Sequence, residues 1–149
     1  LPITWQIPTI IILTLIFHKE VIFRAFSIYI ILGLFIFPVF HQGGSIGYLL
    51  TPNFGYLLGL YPLIFIIDNL NTRKKINVGS FLKNGFIAIG AMHLTGIFYN
   101  FIQIIFHSQF NLFLYNLGKY SLGKIGYHFL MIFPLLLLIK PIERLKRCK

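Results

Sequence analysis

Residues 38–59 read PVFHQGGSIGYLLTPNFGYLLG, a stretch with no charged side chain and five glycines. It joins two apolar runs in a chain of 149 residues that is 57% hydrophobic and only 11% charged. Soluble domains carry roughly 25% charged residues, so lipid is the natural solvent for this many Ile, Leu and Phe. Glycine-rich, irregular backbone at membrane depth is tolerated only where it packs inside protein or lines a cavity. A solvated linker would be flexible, charged and poor in aromatics. The stretch therefore reads as one wall of a binding site. The fold class that follows is an all-α, polytopic membrane helix bundle, with residues 1–149 forming a single transmembrane substrate-binding domain and 38–53 a Gly-rich outer loop.

Working outward, five apolar runs are visible: about 7–17, 21–37, about 54–67, 81–106 and about 126–139. A membrane-spanning helix needs around 20 apolar residues. Only the second and fourth runs reach that without their flanks, so the others are expected to have irregular ends or to thin the bilayer locally. The basic residues alternate between the runs. Lys19 and Arg24, then Arg73, Lys74, Lys75 and Lys83, then Lys140, Arg144, Lys146, Arg147 and Lys149 make eleven on one side. Only Lys119 and Lys124 fall in 1–6, 38–53 or 107–125. Lys and Arg accumulate on the cytoplasmic side, which predicts a cytoplasmic C-terminus and places 38–53 and 107–125 outside. The acids Glu20, Asp68 and Glu143 lie at the cytoplasmic run ends. Glu20 and Glu143 read as solvated charges, and Asp68 as a residue that caps or ends a helix with Asn69 and Asn71.

The net charge of +10 is thus a topology signal. No basic helix face or RNA-binding motif accompanies it, so nucleic acid is excluded as a partner. The single cysteine, Cys148, excludes an internal disulfide. No acid lies in mid-membrane, which argues against a proton relay. The five histidines show no i, i+4 pair or HExxH, and neither a Walker loop nor a Gly-x-Ser-x-Gly occurs. The chain reads as a non-catalytic protein with no cofactor and no metal. Uphill transport would need an ATPase partner.

The outer segments hold neutral polar and aromatic groups suited to a small-molecule site: Trp5, Gln6, His41, Gln42, Tyr48, Thr51, Asn53, His107, Tyr115, Tyr120 and His128. The same residues also fit an interfacial aromatic belt. Gly43-Gly44 permits a sharp turn close to a ligand. Pro52 suits the first turn of a helix whose free N–H groups face the loop, open to a carbonyl or capped by Thr51 or Asn53. His93, inside the fourth run, is a functional candidate by its location. With Thr95 and Gly96 it equally fits a polar contact between helices.

Several of these stretches resemble one family. Leu1-Pro2-Ile3-Thr4-Trp5-Gln6-Ile7-Pro8 is similar to a proline-containing lead into a second helix. Residues 29–44, YIILGLFIFPVFHQGG, resemble a Y-x3-G…LPVF-x2-GG signature. Residues 52–59, PNFGYLLG, resemble P-T-x-GYLLG, and residues 91–99, AMHLTGIFY, an HLTG segment. The family is BioY of the cyanobacterial type, the substrate-binding (S) component of energy-coupling-factor biotin transporters. The resemblance covers most of residues 1–100. The chain departs from the pattern at Asn53, where Thr is usual, and at 124–128, KIGYH, where a Pro-Gly-Asp or Pro-Gly-Gln element usually opens the last helix. His128 then takes the place of the polar ligand-contacting residue.

The resemblance implies six helices, five of them visible here, with one expected upstream of Leu1 that carries docking contacts for a coupling subunit. It implies biotin as the transported ligand, in a plasma membrane, with membrane lipids, the transmembrane subunit EcfT and EcfA-type ATPases as partners. Asn53, His128 and Gln42 would bond the ureido group, Trp5, Tyr48 and Tyr56 would wall the rings and tail, and Gly43 and Gly44 would let the loop approach. Two alternatives stay open at this stage. One is an S component for another vitamin, or for a transition metal held by His41, His107 and His128. The other is a structural membrane protein with no ligand.

Overall fold

The computed structural model describes residues 5–40, 44–71, 75–107 and 110–147. Helix α1 (Gln6–Ile16) turns through Phe17 and His18 into α2 (Lys19–Phe35). The row Ile7, Ile11 and Leu15, spaced by four, buries one face of α1. That face lies against α4 (Leu60–Asn71), where Leu63, Ile64, Ile67 and Leu70 are all 0% exposed. The fully buried row identifies α4 as the centre of the bundle. A short helix, α3 (Pro52–Leu58), leads into α4 with a turn at Gly59, and the expected Pro occupies its first turn. Helix α5 (Val78–His107) is 30 residues long. At 1.5 Å per residue it measures about 45 Å and outruns a hydrocarbon core of ~30 Å.

The last rod runs through α6 (Phe110–Asn116), a π-helical turn at Leu117–Leu122, α7 (Gly123–Leu130), α8 (Ile132–Leu135), a 3-10 turn at Leu136–Leu138 and α9 (Ile139–Arg147). Here the sequence expectation is corrected. Residues 107–125 read as an outer loop and 126–139 as the last run, yet 110–122 is helical. Phe110, Leu112, Phe113, Leu114 and Tyr115 are apolar enough to continue a helix, and the wide π turn accommodates Gly118 without breaking the rod. Among the described residues, three helices are long and apolar enough to cross a membrane, Pro52–Leu70, Val78–Ile105 and Phe110–Lys146, and Gln6–Ile16 is a shorter apolar helix. The protein is an all-α membrane bundle.

Contacts sort the ends of the bundle as the charge alternation predicts. Lys19 Nζ lies 3.7 Å from Asp68 Oδ2, and Glu143 Oε1 accepts a 2.6 Å hydrogen bond from the Ile76 backbone N–H. The α1–α2 turn, the segment after α4 and the C-terminal helix therefore share one end. Asp68 lies in the last turn of α4, which ends at Asn71 as read, and has a lysine partner besides; the reading of Glu143 changes, since it is a fastening between segments and not merely a solvated charge.

At the opposite end, the glycine-rich segment folds back onto α2. The Ser45 N–H donates to the Gly33 carbonyl at 3.1 Å. The Phe40 ring stacks on Tyr48 at 4.5 Å between centroids and meets Tyr29 edge-on at 5.4 Å. A short 3-10 turn, Ile46–Leu50, then delivers the chain to Pro52.

Helices α3 and α5 approach closely. A Cβ on Gly59 would stand 2.5 Å from the Met92 carbonyl oxygen, and Gly96 leaves the space filled by the Tyr56 ring. Small residues at such a seam let helices pack where lipid supplies no hydrophobic drive.

Two outcomes follow. Gly59→Val forces these helices apart and lowers stability by about 1–3 kcal/mol, read as a fall in the thermal midpoint in detergent; an unchanged midpoint contradicts the seam. Ser45 has φ 102° and ψ 164°, a region essentially reserved for glycine that costs about 1–3 kcal/mol for other residues. Ser45→Gly therefore raises the same midpoint.

Candidate functional site

A cavity of about 130 Å³ opens at the end of the bundle that holds the glycine-rich segment. Its floor is apolar, from Ile7 of α1, Leu57 of α3, Leu60 of α4 and Met92 of α5. Its walls are aromatic: Phe40, Tyr48, Tyr56 and Tyr120. Its polar groups are Gln6, Asn53, Lys124 and His128. Apolar walls with a few convergent hydrogen-bonding groups are the usual make-up of a small-molecule site.

Each polar group is placed by its element. Gln6 begins α1 and donates through Nε2 to the Tyr29 hydroxyl at 3.3 Å. Asn53 sits one residue after Pro52 in the first turn of α3. The Thr51 hydroxyl donates back to the Tyr48 carbonyl at 2.7 Å and caps nothing, which decides against the capping reading for Thr51. Tyr120, Lys124 and His128 recur at intervals of four on the last rod and so face the same cavity. The Lys124 ammonium lies 5.2 Å from the centre of the Tyr120 ring, a cation–π contact. Burial, with Tyr29 and Tyr120 nearby, pushes the Tyr48 phenol above its ordinary value, so Tyr48 offers a neutral hydroxyl.

Behind the cavity runs a chain of polar side chains. Tyr56 Oη is 2.9 Å from Ser121 Oγ, Ser121 Oγ is 3.1 Å from His93 Nδ1, and His93 Nε2 is 3.0 Å from His128 Nδ1. His93 thus bonds a neighbouring helix, as one of its sequence readings held. Thr95 instead donates to the Ala91 carbonyl of its own helix at 2.9 Å.

Of the residues singled out from sequence, Asn53, Tyr48, Tyr56 and His128 line the cavity. Trp5 stands 75% exposed at the start of α1, and the neighbouring Gln6 reaches the cavity instead. Gly44 packs against the Gly33 and Phe37 carbonyls with no space for a Cβ. Gln42 and Gly43 lie outside the described residues, as do His41 and the side chain of His107. No group of three His, Cys, Asp or Glu side chains suited to a metal occurs among the described residues. Lys124 is a functional candidate that reading the sequence did not single out, and Tyr120, read there only among the outer polar and aromatic groups, joins it. Their signal was present, in the four-residue spacing to His128 and in Lys124 being one of two cations on the side otherwise free of charge.

The BioY family profile matches residues 1–135. A relative from Lysinibacillus sphaericus, described as a probable biotin transporter BioY, is 44% identical over 57 residues. That match covers 36% of this chain and 29% of the relative, so the chain spans under a third of the relative's length there. No solved structure matches the chain.

Tyr56→Phe keeps the ring packed on Gly96 and removes the hydroxyl that bonds Ser121. It is expected to lower stability by about 0.5–1 kcal/mol, measured by thermal unfolding in detergent; a midpoint equal to the parent's shows that the hydroxyl adds nothing.

Proposed function

The chain belongs to the BioY family, and on that premise we propose that it captures biotin as the substrate-binding subunit of an energy-coupling-factor transporter. The convergence of Asn53, His128 and Lys124 on one aromatic-walled cavity carries this reading. Biotin has a ureido head that both donates and accepts hydrogen bonds, an apolar ring and tail, and a terminal carboxylate. Asn53 can donate and accept, and His128 can do one or the other, depending on its tautomer. Tyr48 and Tyr56 offer faces to the sulfur ring, with Leu57, Leu60 and Met92 below. Lys124 supplies the cation that a carboxylate requires, in a half-buried setting where a charge-assisted hydrogen bond is strong.

The relative's description as a probable biotin transporter supports the same ligand. The excess of Lys and Arg at the opposite end of the bundle supports an outward-facing cavity and a cytoplasmic C-terminus in a plasma membrane. A non-catalytic subunit of this kind depends on a membrane coupling subunit, EcfT, and on EcfA-type ATPases to hydrolyse ATP, with vitamin release following reorientation of this subunit in the bilayer.

Equilibrium binding of labelled biotin to the full-length protein in lipid nanodiscs tests the reading, and absence of saturable binding at micromolar ligand overturns it. Lys124→Met is expected to weaken biotin about tenfold or more, while biotinamide, which lacks the charge, binds parent and variant alike. Equal losses for both ligands would remove Lys124 from the carboxylate.

A further inference from the structure

Lys124 is a half-buried cation in the cavity wall, and a charge taken partly out of water is normally paired. The chain's three acidic side chains all stand at the other end of the bundle: Glu20 in the first turn of α2, Asp68 beside Lys19, and Glu143 on the Ile76 N–H. None of them can reach Lys124. Its partner is the Tyr120 ring, one helical turn earlier, whose centre lies 5.2 Å from Lys124 Nζ. Lys119 Nζ lies 5.3 Å from the centre of the same ring. The ring is itself held in place. Tyr120 meets Tyr56 at 6.1 Å between centroids, and Tyr56 packs on Gly96 of α5. The seam between α3 and α5 thus sets the ring, and the ring sets the ammonium.

The kind of partner matters. An acidic side chain would place Lys124 and also cancel its charge, and a ligand carboxylate would then have to displace it. An aromatic face attracts a cation through its quadrupole and leaves the full charge in place. The ammonium carries three N–H donors, so contact with a ring face leaves donors open to the cavity. Lys119 adds a second positive charge within about one Debye length, ~10 Å at 0.1 M salt.

We propose that Tyr120 is the positioning residue for Lys124: its ring face holds the ammonium at the cavity without neutralising it, and so makes the site selective for a ligand that carries a carboxylate. The proposal deepens the biotin reading and rests on it for the identity of the ligand. The effect of Tyr120 on the carboxylate passes through Lys124.

The ratio of biotin affinity to biotinamide affinity isolates that effect, because the two ligands differ only at the carboxyl group. It is measured on full-length protein in lipid nanodiscs. Tyr120→Phe keeps the ring face and should hold the parent's ratio to within about twofold. Tyr120→Leu keeps an apolar wall without the face, and the ratio should fall about threefold to tenfold. Tyr120→Glu sets a carboxylate four residues before Lys124, a spacing at which helical ion pairs form, and should bring the ratio down to about one. If Tyr120→Leu weakens both ligands equally, the residue is a wall and nothing more, and the proposal fails. A ratio in Tyr120→Phe as low as in Tyr120→Leu, or a parental ratio in Tyr120→Glu, overturns it as well.

A readout without ligand separates this proposal from the biotin reading. Protons over an aromatic face resonate upfield of their ordinary position. With lysine labelled by 13C at Cε, one upfield signal should appear in the parent and in Tyr120→Phe, vanish in Lys124→Met, and return to its ordinary position in Tyr120→Leu. Absence of that signal from the parent overturns the placement whatever the protein binds. If the parent does not prefer biotin to biotinamide, the carboxylate reading falls and the proposed selectivity with it, while the spectra still decide whether Tyr120 places Lys124.

Discussion

The close approach of α3 and α5 is the constraint on which the rest of the molecule depends. In lipid, apolar side chains gain nothing by leaving solvent for a neighbouring helix, so association rests on packing and hydrogen bonds. Gly59 and Gly96 remove the side chains that would hold these helices apart. The Tyr56 ring fills the space at Gly96 and comes to lie edge-on to His93, 5.7 Å between centroids. From that position its hydroxyl reaches Ser121 on the last rod. One seam between two helices therefore also docks a third, and the cavity forms where the three meet the glycine-rich segment.

The loop side of the cavity rests on different physics. Aromatic stacking does much of the holding there. Tyr29, Phe40, Tyr48, Phe54 and Tyr99 form successive ring contacts between 4.5 and 6.3 Å, reaching from α2 across the segment to α5. The Tyr99 hydroxyl closes the series by donating to the Leu49 carbonyl. Rings serve well here because each covers much area at a small cost in rotamer entropy.

Much of this was legible in the sequence. The apolar runs and the alternation of Lys and Arg foretold the bundle and which segments share an end, because membrane thickness and charge placement are composition effects. Pro52 announced the start of α3, and so the place of Asn53 and Tyr56 at a helix mouth. The last rod was hidden, because Gly118, Lys119, Gly123 and Lys124 interrupt hydropathy where the backbone continues as a helix. With that stretch read as loop, the spacing of Tyr120, Lys124 and His128 carried no meaning. The Trp5 and Gln6 pair shows a second limit. Composition marks both as interfacial residues, and only the helical rotation of α1 decides that Gln6 lines the cavity while Trp5 stays exposed.

The π turn at Leu117–Leu122 gives the last rod an unusual sensitivity. A π turn is a stretch of helix that carries one extra residue within its turn. Each residue of a regular helix advances the rotation by ~100°. Loss of that single residue would leave a smooth helix of the same composition and hydropathy, with α7 swung by about a quarter-turn relative to α6. Lys124 and His128 would then face away from the cavity, though neither had been replaced. For this helix, chain length is as much a determinant of the site as chemistry, and two proteins with identical side chains flanking this turn could differ in whether they possess the site at all.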